Sequence, residues 1–200
     1  MRFMACGPLA AHAGRCDDAD MEITTDLPRL DAILAVWADR LGPDAQGYGN
    51  HCRRMLQFCF ALAGPLSPRQ RELLQVAAAF HDLGIWSDHT VDYIPPSVRE
   101  ARAYALANGF AAEAEEIALM VGTHHQVRAD QVPQFPLVEV FRRADLVDFS
   151  LGLVRQGLPR AFIRAVKLTW PNAGFHRLLM RLTWRQLKAE PLRPLPMMKW

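Results

Sequence analysis

AAAFHDLGIW, Ala77 to Trp86, runs as an apolar helical stretch into an imidazole and a carboxylate, His81-Asp82, and then meets Gly84. Two such groups side by side at the end of a buried helix are costly in a core unless a cation neutralises them. A metal is therefore the first expectation. The dipeptide needs company before it carries weight: with seven histidines and thirteen aspartates in 200 residues, it arises by chance about once in two or three such chains.

The company comes from the flanking helices. Ser67-Pro68-Arg69-Gln70 is a capping box with proline at the first helical position, and it opens the helix whose Leu73, Leu74, Val76, Ala77 and Phe80 lead into the dipeptide. Upstream, a helix over about residues 45–62 stacks Tyr48, His51, Met55, Phe58 and Leu62 on one face, so His51 points inward. An earlier helix, capped by Thr25 or Asp26, carries Leu27, Leu30, Ile33, Leu34, Trp37 and Leu41 until Gly42-Pro43 stops it.

Downstream of the dipeptide, residues 86–96 read as a loop, and Ser97 with Glu100 repeats the capping pattern for a fourth helix that Asn108-Gly109 ends. A fifth, from near Ala111, carries Ile117, Met120 and Val121 and runs into Thr123-His124-His125. A sixth aligns Asp145 with Val138 and Phe141, placing another carboxylate on an apolar face. Two more helices, over about residues 159–168 and 173–188, precede the proline-rich PLRPLP. No strand alternation interrupts this pattern. The chain is expected to be all-α: a flexible arm at 1–22, one helical bundle at 23–190 and a proline-rich tail at 191–200.

Composition narrows the function. A hydrophobic fraction of 50%, with 22% charged residues, is that of an ordinary globular domain. The formal net charge of +2, with both signs spread along the chain, gives no reason to expect a nucleic-acid polymer or an acidic membrane as partner. No apolar run is long enough to span a bilayer. Cys6, Cys16, Cys52 and Cys59 form no C-x-x-C pair and read as reduced thiols, which places the protein in the cytoplasm. The segment from Arg2 to Gly14 resembles a signal peptide only weakly, since Pro8 and His12 break its apolar run.

His51, His81, Asp82 and Asp145 thus offer two imidazoles and two carboxylates from three helices. That donor set suits one divalent transition metal, Mn, Fe, Co, Ni or Zn, with positions left open for water and substrate. The ordered pattern H…HD…D resembles the HD-domain superfamily of metal-dependent phosphohydrolases. NHCRRM at 50–55, AAFHDLGI at 78–85, GTHH at 122–125 and RRADLVD at 142–148 carry the resemblance, in the family's order.

The resemblance implies that His51, His81, Asp82 and Asp145 bind the metal, with Asp82 close to the activated water. His124 and His125 are expected as acid–base or substrate-contacting groups, because the intervening histidine of dinuclear members is replaced here by Asn108 and Gly109. Arg54, one turn from His51, is a candidate either to receive a phosphate oxygen or to form a salt bridge on the helix rim. Asp88 and His89, in the loop after the dipeptide, are candidates to contact substrate, as is Asp148, which could instead hold a ligand or an arginine in place.

The substrate expected is a nucleotide or another small phosphate ester. Cyanamide hydratase-like members carry a similar site and offer an alternative chemistry. A catalytically silent regulator is a third possibility, and the apolar helices near Leu151 to Phe162 and Phe175 to Trp184 could support a homodimer.

Overall fold

At Ser67 the capping box forms as its sequence requires: Ser67 Oγ accepts the Gln70 N–H at 3.2 Å, and Gln70 Oε1 accepts the Ser67 N–H at 2.9 Å. The helix it starts, α3 (Pro68–Phe80), is the centre of a computed structural model that describes residues 21–126, 132–193 and 195–198. Around it stand α1 (Pro28–Leu41), α2 (Ala45–Ala63), the single turn α4 (Gly84–Ser87), α5 (Ile94–Ala107), α6 (Ala114–Thr123), α7 (Pro136–Phe149), α8 (Arg160–Thr169) and α9 (Phe175–Ala189). No strand occurs among the described residues, so the fold is all-α, as the periodicity predicts. Cys6, Cys16, Arg128 and nearly all of the expected arm at 1–22 lie outside the described residues.

Small residues set how closely the central helices approach. Ala77, Ala78 and Ala79 are fully buried, which lets α2 reach the end of α3. There Tyr48 Oη donates to the Ala79 carbonyl at 2.9 Å, and the Cys52 thiol donates to that of Ala78. α2 also lies along α7, while α6 packs against α3, α5 and α7. The core between them takes Met55, Phe58, Leu74, Val121, Phe141 and Ala144, all fully buried. Each large side chain there contributes about 1.5–3 kcal/mol by leaving water. Cys52 and Cys59 are free and buried, and burial pushes both thiols up, away from reactivity.

Three sequence expectations change. Leu27, with no side-chain cap, precedes α1 in place of Asp26 or Thr25. α5 begins at Ile94, four residues before the expected start, because Pro95 and Pro96 already suit a first turn. Ser97 is then inside the helix and buried, and its hydroxyl accepts the Gly84 N–H at 2.9 Å. This contact explains the glycine: a Cβ on Gly84 would lie 2.2 Å from the Tyr93 carbonyl oxygen. Gly84 thus brings the start of α5 against the turn after His81-Asp82.

The charge, too, is less evenly spread than expected. Residues 150–200 hold ten Lys and Arg against one acid, Glu190, while the first 149 hold thirteen against twenty acids. Arg160, Arg164, Arg177, Arg181 and Arg185 form no ion pair among the described residues, so the last two helices are cationic. No helix of the described residues is long and apolar enough to cross a membrane.

Candidate metal centre

Two helix ends build the site in the same way. The last carbonyls of a helix have no partner within it. His81 follows α3 and donates its Nδ1 proton back to the Ala78 carbonyl at 2.8 Å; His124 follows α6 and donates to that of Val121 at 2.7 Å. A carbonyl can only accept, so in the neutral ring each Nε2 is left as a lone pair. His51, from the middle of α2, reaches the same state through Asp148, whose Oδ2 accepts its Nδ1 proton at 2.7 Å. Phe175 stacks on the His51 ring at 4.2 Å and fixes its plane.

The three lone pairs converge. His51 Nε2 and His81 Nε2 are 2.9 Å apart, with no proton between them in these tautomers. Asp82 Oδ2 is 3.4 Å from His81 Nε2 and 3.8 Å from His51 Nε2. Asp145 Oδ1 lies 3.6 Å from His51 Nε2 and 4.0 Å from His81 Nε2. His124 Nε2 faces Asp82 Oδ1 at 3.3 Å, yet both atoms are buried without a hydrogen-bond partner. Lone pairs set against lone pairs and carboxylates repel unless a cation sits among them. Donors bound at about 2.1 Å stand about 3.0 Å apart at right angles and about 4.2 Å apart when opposite. The observed separations, from 2.9 to 4.0 Å, span that range. The residues therefore fit a metal.

Grouped by reach, the donors form three overlapping sets: His51–His81–Asp145, His81–Asp82–His124 and His124–His125–Asp145. His124 shares the tautomer and the bare Nε2 of His51 and His81, a ligand-like state that spacing along the chain did not separate from an acid–base role.

The charges within the cluster are pushed apart. Burial lowers His51 to about 4, against the opposing pull of Asp148, so the ring is neutral at pH 7. Burial raises Asp145 to about 7. Burial acts on Asp82 in the same sense; only protons on the facing His81 and His124 nitrogens would pull it well below the usual carboxylate range, and in the tautomers above a cation takes their place. Asp148 also stays low despite burial, because His51 and Arg54 both donate to it.

Arg54 is where the structure departs most from the sequence expectation. Its side chain is only 2% exposed. Nε and Nη2 each donate to Asp148 at 2.6 Å, and Nη1 donates to the Trp170 carbonyl at 3.0 Å. No face is left for a phosphate. Instead Arg54 anchors Asp148, which in turn orients His51, so Asp148 takes the holding role rather than a substrate contact. Asp88 is also elsewhere, paired with Arg99 at 2.7 Å on the surface. His89 lines a separate cleft of about 670 Å³ beside α9, with Arg181 and Arg185.

Sequence reasoning missed Tyr93. Its buried phenol is pushed well above its ordinary value by burial and stays protonated. Tyr93 Oη lies 2.6 Å from His125 Nε2, and His125 Nδ1 stands 3.6 Å from Asp145 Oδ2. Its place just before Ile94-Pro95-Pro96 was the available signal, since that helix start is held against Gly84.

A family profile described as HD domain matches residues 48–150. No curated protein and no solved structure matches the chain. The profile covers half of the sequence and contains His51, His81, Asp82, His124, His125, Asp145 and Asp148; the chain belongs to the HD domain family, of metal-dependent phosphohydrolase type.

Proposed function

We propose that this protein is a metal-dependent hydrolase of small phosphate esters, with a nucleotide or another compact phosphorylated molecule as substrate. The observation that carries the reading is the convergence of three Nε2 lone pairs on Asp82 and Asp145 beside an open cavity of about 160 Å³. His51, His81, Asp82 and Asp145 would hold the cation, a divalent Mn, Fe, Co, Ni or Zn. When bound, such a cation supplies Lewis acidity and lowers the pKa of a coordinated water.

The chain's own residues do the rest. Asp148 and Arg54 fix the His51 tautomer. Asp82, ionised beside a bound cation, would lie close to the activated water. His125, kept neutral by burial, receives the Tyr93 hydrogen bond and faces Asp145, a route for a proton between the cavity and the cluster. Arg142 lines the same cavity, its guanidinium paired with both carboxylate oxygens of Glu139 at 2.7 and 2.8 Å and with the Gln126 carbonyl, so it stands in the wall as an ion pair rather than as a free positive charge.

One observation favours a second reading, cyanamide hydratase-like addition of water to a small nitrile. Arg54 is consumed by Asp148, and a neighbouring chamber of about 130 Å³ has no charged side chain in its wall. The two are separated by elemental analysis of freshly purified protein followed by two assays on one sample: phosphate release from a panel of phosphomonoesters with Mn, Co or Mg, and urea formation from cyanamide. Metal with phosphate release supports the first reading; metal with urea alone moves the assignment to the second. Protein that binds no metal after incubation with any of these ions refutes both.

A further inference from the structure

The tail after α9 turns back over the metal centre. Gln186 Nε2 donates to the Arg193 carbonyl at 3.2 Å, the Arg193 N–H returns to that of Glu190 at 3.0 Å, and the Met198 N–H closes a turn on Leu195 at 3.1 Å. Pro191 and Pro196 restrict the backbone of this path. Met197 packs on the core.

Met198 is common to two cavities. One is the 160 Å³ space reached by His124, His125 and Asp145; the other is the 130 Å³ chamber between Tyr93, Leu179 and Leu182. His125 and Phe149 also border both. His125, Phe149 and Met198 thus form a wall common to the chamber and the cavity at the metal cluster, and Leu195 and Met197 also line the chamber. Its floor is the Tyr93–His125 pair, whose hydrogen bond already satisfies the Tyr93 hydroxyl.

We infer that the segment Leu195–Met198 is part of the substrate pocket, and that its methionines roof a subsite for a compact apolar group attached to the reacting centre. The inference rests on the proposed hydrolase reading and narrows it. An apolar cavity of about 150 Å³ accommodates a benzene ring, and methionine adapts its shape to such a group. The favoured substrate class is then an aryl or short branched-alkyl phosphate, since a whole nucleoside exceeds the chamber.

The test is the Met197→Gln/Met198→Gln double variant, which keeps side-chain length and adds polarity at a partly buried tail; metal content and melting temperature serve as controls. Three ligands are compared on metal-loaded protein: phenylphosphonate and methylphosphonate by calorimetry, and benzyl alcohol, which carries the ring alone, by ligand-observed NMR. Turnover of phenyl phosphate and methyl phosphate is measured alongside. The parent protein should favour each phenyl compound over its methyl counterpart by about tenfold or more. The variant should lose that preference, its phenyl compounds weakened about tenfold more than their methyl counterparts in binding and KM.

Weaker benzyl alcohol binding in the variant, with no phosphate released by either protein, supports the subsite and refutes the phosphohydrolase reading. Phosphate release with no phenyl preference overturns the subsite alone. Equal losses for phenyl and methyl ligands, or no ring binding by the parent protein, also overturn it.

Discussion

Replacing Asp148 by asparagine probes packing and metal binding together, because this one carboxylate holds both Arg54 and His51. The substitution keeps the size of the side chain and removes its charge. The new side-chain amide can still turn its oxygen toward His51, but its NH₂ group then faces the guanidinium, and two donors meet. Arg54 has nowhere to go, being buried with its remaining contacts on the carbonyls of Trp170 and Pro171. Stranding a buried charge costs about 3–5 kcal/mol, equivalent in a chain of this size to a fall of about 6–20 °C in melting temperature. A neutral amide oxygen holds the His51 Nδ1 proton less firmly than a carboxylate does, so metal retention should weaken by about 10–100-fold. The Arg54→Leu/Asp148→Leu pair separates the two effects. With both charges gone, stability should recover to within about 2 kcal/mol of the parent, while His51 Nδ1 now lacks an acceptor altogether and the metal is lost. Calorimetric melting with elemental analysis of the three proteins reads this out. A melting temperature of Asp148→Asn within about 2 °C of the parent, or full metal retention in the Leu pair, would refute the reasoning.

Other perturbations address single contacts. His81→Ala or Asp82→Ala should abolish bound metal, and full occupancy in either purified variant would remove that residue from the ligand set. His124→Ala should retain metal on the remaining four donors yet lower turnover by about 10²–10⁴-fold; a fall from two equivalents to one would instead make His124 the holder of a second cation. Metal affinity should depend on pH through Asp145. Below about 7 the cation must displace the Asp145 proton, so affinity should drop about tenfold per unit as pH falls from 6.5 to 5.5 and level off above 7. His51, lowered to about 4, adds no second proton to that slope; a titration showing no slope below pH 7 would contradict the raised value. Gly84→Ala should destabilise by at least about 2 kcal/mol, because its Cβ would overlap the Tyr93 carbonyl, and an unchanged melting curve would show that α5 moves aside freely.

What could be read in the sequence was whatever depends on local periodicity. The inward face of α2, the capping box at Ser67 and the stop after Phe80 are set by residues within a turn or two of one another, and they placed His51, His81 and Asp82 on the correct side of their helices. Arg54 was left open between a phosphate contact and a salt bridge for the opposite reason. Its partners, Asp148 and the carbonyls at Trp170 and Pro171, lie 94 to 117 residues away, and nothing in the local pattern distinguishes an arginine that meets phosphate from one that meets a buried aspartate. Ser97 was misread because its capping pattern competes with Pro95-Pro96. The prolines won, and the serine served Gly84 instead.

The site also shows why HD is an informative pair only when the following chain is counted. A histidine just past a helix end can always donate to a free carbonyl, and His81 and His124 both do so. That alone is a satisfied, structural histidine. What changes the reading is the other ring nitrogen: its surroundings supply lone pairs where a structural histidine would find a proton donor. The two buried carboxylates, Asp82 and Asp145, add negative charge to that deficit whenever they are ionised, an arrangement that a cation would offset. Asp148 and Arg54 then reinforce the orientation from behind, and Tyr93 keeps His125 directed at Asp145 from the front. The helix ends provide the imidazoles, but the orphaned nitrogens are what fit the cluster to a cation rather than to a satisfied core.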